Sequence, residues 1–260
     1  MTDIKFFTSD GIEIAYIDEP PLAPPPEPHD PVLLIHGFAS NIAMNWLGPG
    51  WVEALRRQGF RVIAFDNRGH GESAKLYRLE DYGAPLMAED ACRLLDHLGI
   101  PRANVFGYSM GARIAAFLAL AHPERVARIV FGGLGFNMVR GMAGTGPIAH
   151  ALEAPSIDDV TNPTARTFRA FAEQTKSDLK ALAACIRSAR APLTAEMVAT
   201  IAAPALVAVG ENDVIAGDPK RLADILPNGE AFVIQGREHM RAVGDKTFKD
   251  AVLRFLGPGM

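Results

Sequence analysis

Short apolar runs and amphipathic stretches alternate along this chain. The runs IKFF and IEIAYI flank Ser9-Asp10-Gly11, a turn signal, and predict an opening β-hairpin. VLLIHG at 32–37 is apolar without interruption and closes on a glycine, as strands buried on both faces do. RVIAFD (61–66), NVFGY (104–108), ARIVFGG (127–133), ALVAVG (205–210) and AFVIQG (231–236) predict further strands. Between them lie helical patterns at 51–59, 85–99, 110–122 and 247–256, and another helix is expected between the last two strands. In the 85–99 stretch Met87, Ala91, Leu94, Leu95 and Leu98 keep the helical period and Gly99 supplies the stop. This alternation predicts an α/β fold with a mostly parallel sheet and helices on both faces.

Two segments break the rhythm. The proline-rich stretch at 19–31 reads as a surface loop. Between Leu134 and Ala203 no strand is predicted. A glycine- and methionine-rich stretch (133–147) leads into helical patterns at 164–174 and 177–190. The expected organisation is a core made of 1–133 and 204–260, with a helical cap inserted at 134–203, where lids tend to sit.

Composition narrows the class. Of 260 residues, 48% are hydrophobic and 22% charged, enough for a sizeable core. Thirty acids against 26 bases give a net charge of −4, which is no footprint for nucleic acid. No run is long enough to cross a bilayer, and the first residues lack the charge and apolar pattern of a signal peptide. Cys92 and Cys185 read as small buried residues in a reducing compartment. The expectation is a cytoplasmic protein acting on a small molecule, without nucleic-acid or membrane partners, as a monomer or homodimer.

The chemistry centres on Gly107-Tyr108-Ser109-Met110-Gly111, a G-x-S-x-G pentapeptide between a predicted strand and a predicted helix. That is where a strained turn lifts a serine clear of the backbone, and a side chain on either glycine would clash. A serine hydroxyl needs a base, and the base an orienting acid. Beyond the serine's own helix the histidines are His150, inside the insertion, and His239, just after the last predicted strand; position favours His239. Asp213, at the end of the 205–210 strand, is the favoured acid over Glu211 and Asp218. The backbone N–H groups of Phe38, in HGFAS, and Met110 are candidates for an oxyanion hole. Phe136, Met138 and Met142 are candidates for an apolar substrate pocket, beside Phe168 and Phe171. His36 is read as organising its loop. No H-E-x-x-H and no cysteine–histidine cluster suggests a metal, and no cofactor is expected.

In order and spacing, HGF (36–38), FDNRGHGES (65–73), GYSMG (107–111), GENDVIAG (210–217) and REHM (237–240) resemble the α/β-hydrolase superfamily along essentially the whole chain. Within it the chain is similar to the serine-nucleophile, small-capped esterase and lactonase branch. The resemblance implies an eight-stranded, mostly parallel sheet, a Ser109–Asp213–His239 triad, and a cap after the sixth strand. It also implies that Asp66 and His70 are mainly structural. Ala112 stands where many relatives have a further glycine. Relatives that open epoxides or remove halide carry aspartate at the elbow, so Ser109 directs the reading to acyl chemistry. The expected activity is hydrolysis of small carboxylic esters or lactones through an acyl-enzyme. The alternatives are C–C bond hydrolysis of vinylogous diketones and ligand binding without turnover.

Overall fold

The computed structural model describes residues 2–25, 28–141, 145–188 and 191–257. It begins with β1 (Lys5–Ser9) and β2 (Ile12–Glu19), paired antiparallel across Asp10-Gly11, both in left-handed conformations. There follow β3 (Val32–Ile35), α1 (Trp51–Arg57), β4 (Val62–Phe65), α2 (Ala84–His97), β5 (Ala103–Tyr108), α3 (Met110–Ala121) and β6 (Val126–Gly132). The segment after β6 contains α4 (Asn137–Arg140), α5 (Thr145–Glu153), α6 (Pro163–Gln174), α7 (Leu179–Arg187) and α8 (Ala195–Val198). The chain closes with β7 (Ala205–Gly210), α9 (Pro219–Ala223), β8 (Gly229–Ile234), α10 (His239–Ala242) and α11 (Lys246–Leu256).

The eight strands form one sheet in the order β1-β2-β4-β3-β5-β6-β7-β8. β2 pairs antiparallel with both β1 and β4, and all pairs from β4 through β8 are parallel. The eight-stranded, mostly parallel sheet expected from the sequence is the one observed.

β3, β4, β5 and β7 are buried at every position because helices cover both faces. Successive side chains still go to opposite sides. Leu33, Ile35 and Val105 join the core under α2 and α3, while Val32, Leu34 and Phe106 join the core under α1 and α11. The second core is dominated by rings. Phe106 meets Trp51 edge-on at 4.8 Å and Trp46 at 4.9 Å, and Trp51 meets Phe248 at 5.2 Å. Ile148, Leu152, Phe168, Leu182 and Ile186, from α5, α6 and α7, belong to the first core.

Arg169 pins this helical segment from inside. It is 5% exposed, donates to the carbonyls of Ala151 (2.6 Å) and Ala154 (2.9 Å) at the end of α5, and reaches Glu173 at 2.7 Å. A cation at a helix C-terminus meets the carbonyls left without intrahelical partners. Several short elements escape the sequence pattern, among them α4, α5, α8, α10 and a π-helical turn at Ala43–Leu47, inside a stretch that reads as loop. Its five residues are too few to show a period, yet it buries Asn45 and Trp46 under the carboxyl end of the sheet.

Candidate active site

β5 ends at Tyr108 and α3 starts at Met110, so Ser109 alone makes the turn. It does so at φ 54° and ψ −113°, a conformation few side-chain-bearing residues adopt. The surroundings enforce it. A Cβ on Gly107 would overlap the Gly111 carbonyl, and one on Gly111 would overlap the Ile35 carbonyl. The Ser109 N–H donates to the Gly132 carbonyl at 2.7 Å, tying the turn to β6.

His239 opens α10 just past β8 and is 5% exposed. Its Nε2 lies 3.0 Å from Ser109 Oγ and its Nδ1 2.7 Å from Asp213 Oδ2. Asp213 sits in the turn after β7, its side chain fully buried. Its other oxygen accepts the N–H groups of Ile215 (2.8 Å) and Ala216 (3.0 Å). A carboxylate held this way can only accept, so Nδ1 carries the proton and bare Nε2 faces the serine hydroxyl. The competing residues lie elsewhere. His150 is exposed on α5. Glu211 accepts from the Gly236 N–H, and Asp218 caps α9.

The loop after β3 faces the same serine. The Gly37 carbonyl accepts from His36 Nδ1 (2.7 Å) and from the Ser40 N–H (3.2 Å). His36 Nε2 accepts the Asn67 N–H at 2.9 Å, and since that N–H can only donate, the His36 proton belongs on Nδ1. With its carbonyl pinned, the planar Gly37–Phe38 peptide has its N–H facing the opposite way. Among the described residues neither the Phe38 nor the Met110 N–H has a protein partner. Burial holds the His36 ring neutral and lowers its pKa to about 4. His70, also buried, is lowered to about 3, chiefly by desolvation. Asp66 accepts the N–H groups of Ile42 (2.7 Å) and Glu72 (2.8 Å), which makes it a brace between two loops.

Three residues at the site carry no signal in the sequence pattern. Tyr108, the first of the two variable residues of the pentapeptide, donates its hydroxyl to the His239 carbonyl at 2.6 Å. Asn45 accepts the Gly37 N–H at 3.2 Å. Thr175, at the end of α6, reaches the Ala39 carbonyl at 3.0 Å.

Two cavities meet at Ser109, Phe38 and Phe168. The larger, about 710 Å³, runs past His239 and Asn45 to Arg241 and Lys246. The smaller, about 370 Å³, runs under the helices that follow β6 and is lined by Met87, Met138, Ile148 and Leu193 among others. Of the predicted pocket residues, Met138 lines this smaller cavity. Phe136 does not: its ring lies under the Arg221 guanidinium, 3.7 Å from the centroid, and it borders neither cavity. Two residues along a short helix turn a side chain through roughly 200°, enough to separate Phe136 from Met138. Met142 lies outside the described residues.

Residues 30–140 match a family model described as alpha/beta hydrolase fold. Two curated relatives match about two fifths of the chain. The dihydrolipoyllysine-residue acetyltransferase component of the acetoin cleaving system of Pseudomonas putida is 41% identical over 108 residues, 40% of this chain and 28% of that protein. Epoxide hydrolase B of Mycobacterium tuberculosis is 36% identical over 110 residues, 41% of this chain and 29% of that protein. The chain thus spans less than a third of the length of either relative. The crystal structure of a hydrolase from Pseudomonas aeruginosa PA01 superposes with a TM-score of 0.72 at 26% identity, covering 98% of this chain and 99% of that one. The chain has the alpha/beta hydrolase fold, and residues 30–140 are similar to that family. No helix among the described residues is long and apolar enough to cross a membrane.

Proposed function

We propose that the protein is a serine hydrolase that cleaves small carboxylic esters or lactones through an acyl-enzyme. The observation that carries this reading is the continuous hydrogen-bond chain from Asp213 through His239 to Ser109, at 2.7 and 3.0 Å. His239 Nε2 takes the Ser109 proton as Oγ attacks the substrate carbonyl. The Asp213 carboxylate stabilises the imidazolium that forms. The Phe38 and Met110 N–H groups receive the oxyanion, and the N-terminal end of α3 adds to the favourable field. His239 then gives its proton to the leaving oxygen. Water attacks the acyl-enzyme by the same route in reverse, returning free Ser109 and the carboxylic acid.

Likeness to an epoxide hydrolase over 110 residues does not carry that activity here. Epoxide opening through an alkyl-enzyme ester needs a carboxylate nucleophile, and Ser109 has none to offer. In this reading 1–133 and 204–260 form the catalytic core, and 134–203 form the cap that roofs the smaller cavity. The substrate is a small molecule, no cofactor takes part, and the cytoplasm is the proposed compartment.

The test is steady-state hydrolysis of short p-nitrophenyl esters by the wild type and Ser109→Ala, with circular dichroism as a check on folding. Loss of at least about 10³-fold in kcat with the fold intact supports the reading. Equal turnover by the folded variant overturns it.

A further inference from the structure

The smaller cavity differs from the larger one in its charges. The larger cavity mixes signs, with Asp245 beside Arg237, Arg241 and Lys246. The smaller is lined mainly by apolar side chains, with Ser109, Asn137, Ser188 and Thr194 as neutral polar groups and two arginines, Arg113 and Arg140, and with no aspartate or glutamate among its described lining residues.

Arg113 lies one helical turn beyond Ser109 on α3, on the same face as the nucleophile. Its guanidinium donates to the carbonyls of Met138 (2.9 Å) and Ala191 (2.6 Å), two residues of the cavity wall. It therefore stands between two sides of the cavity with its fork held in place. Arg140 ends α4, is exposed at the cavity, and has no ion-pair partner among the described residues. The two carbonyls account for the Arg113 fork but leave its charge uncompensated by any carboxylate of the described cavity lining, and Arg140 adds a second positive charge at the same chamber. Guanidinium planes are suited to carboxylates, and a cleft with one sign of charge and apolar walls concentrates the field on its ligand.

We propose that the smaller cavity is an acyl subsite for a carboxylate-terminated chain: the substrate is an ester or lactone whose acyl part runs through apolar surroundings from the Ser109 carbonyl to an anionic end at Arg140 and Arg113. This rests on the reading of Ser109 as nucleophile for the identity of the reacting end, but not for the binding of the anionic end. Arg140 supplies an exposed contact, and Arg113 supplies positive potential held in the cavity wall.

The experiment pairs two substrates of equal length, p-nitrophenyl hexanoate and the mono-p-nitrophenyl ester of adipic acid. Turnover by the wild type is measured alongside calorimetric binding of monomethyl adipate and methyl hexanoate to Ser109→Ala, in which acyl transfer plays no part. The adipate monoester is expected to show kcat/KM about tenfold or more above the hexanoate, and monomethyl adipate the tighter binding. Arg140→Gln is expected to lower that ratio about tenfold, Arg140→Glu to invert it, and added salt to narrow it. A preference for the hexanoate series in both assays, or a ratio unmoved by either Arg140 variant, overturns the inference. Preferred binding of monomethyl adipate without turnover of either ester upholds the subsite while contradicting the hydrolase reading. Turnover of both esters at equal rates does the reverse.

Discussion

The Thr175 hydroxyl lies 3.0 Å from the Ala39 carbonyl, joining the end of α6 to the loop that carries the Phe38 N–H. Ala39 holds a left-handed φ of 59°, so the loop bends there against its own preference. The same hydroxyl is 3.0 Å from the Ala172 carbonyl of its own helix and 2.8 Å from Ser177 Oγ. It has one proton to share between the helix and the loop, with Ser177 donating to it. Thr175 is a positioning residue, and Phe168 packing edge-on against Phe38 at 6.0 Å is the second link between the same two elements. Thr175→Val is expected to lower kcat for a short ester about three- to tenfold with a smaller change in KM, and Thr175→Ser to restore it. A purely structural role would instead lower the melting temperature and leave kcat of the folded fraction alone.

The elbow tolerates no added carbon. Gly111→Ala forces a Cβ into the Ile35 carbonyl, and both sides of that contact are backbone. The expected cost is about 3 kcal/mol or more in denaturant unfolding, with loss of turnover. Gly146→Ala is the control: nothing lies within 4 Å of the added methyl, and the residue is in α5, so stability should hold or rise by up to about 1 kcal/mol.

Acid should weaken the protein through its two buried histidines. The folded rings resist protonation down to about pH 4 for His36 and about pH 3 for His70, whereas the unfolded chain accepts those protons near pH 6.5. Their contribution is therefore complete above pH 6.5 and is lost as the pH falls from there toward 4, at up to about 1.4 kcal/mol per pH unit for each ring. Melting temperatures between pH 7.5 and 4.5 should fall in the wild type and fall less steeply in His70→Gln. Equal slopes would contradict this.

Arg169 governs the helices after β6. Arg169→Met removes the donor from the Ala151 and Ala154 carbonyls and the partner from Glu173. The expected loss is about 1–3 kcal/mol, with faster proteolytic cutting inside 134–203 than elsewhere in the chain. Uniform protection of that segment would show that the bond network is dispensable.

The strands are legible in the sequence because burial on both faces leaves unbroken apolar runs, and Ser109, Asp213 and His239 are legible because each follows such a run. What the pattern hides is contact between distant segments. Tyr108 and His239 are 131 residues apart, and Ala39 and Thr175 are 136 apart. No local periodicity reports that they meet. Phe136 illustrates a second limit: hydrophobic character marks it as a lining residue, but at the N-cap of a four-residue helix the direction of the side chain is set by tertiary contacts, and Arg221 takes its ring. The turn at Ala43–Leu47 is too short for its period to be read at all.

The central claim is that Ser109 is an activated nucleophile. A fluorophosphonate read by intact mass tests it most directly, because the probe needs the activated hydroxyl and no knowledge of the substrate. The account predicts one adduct per wild-type chain, located at Ser109, strongly slowed labelling in His239→Ala, and none in Ser109→Ala. A folded wild type that stays unlabelled, or a Ser109→Ala variant labelled at the same rate, would contradict it.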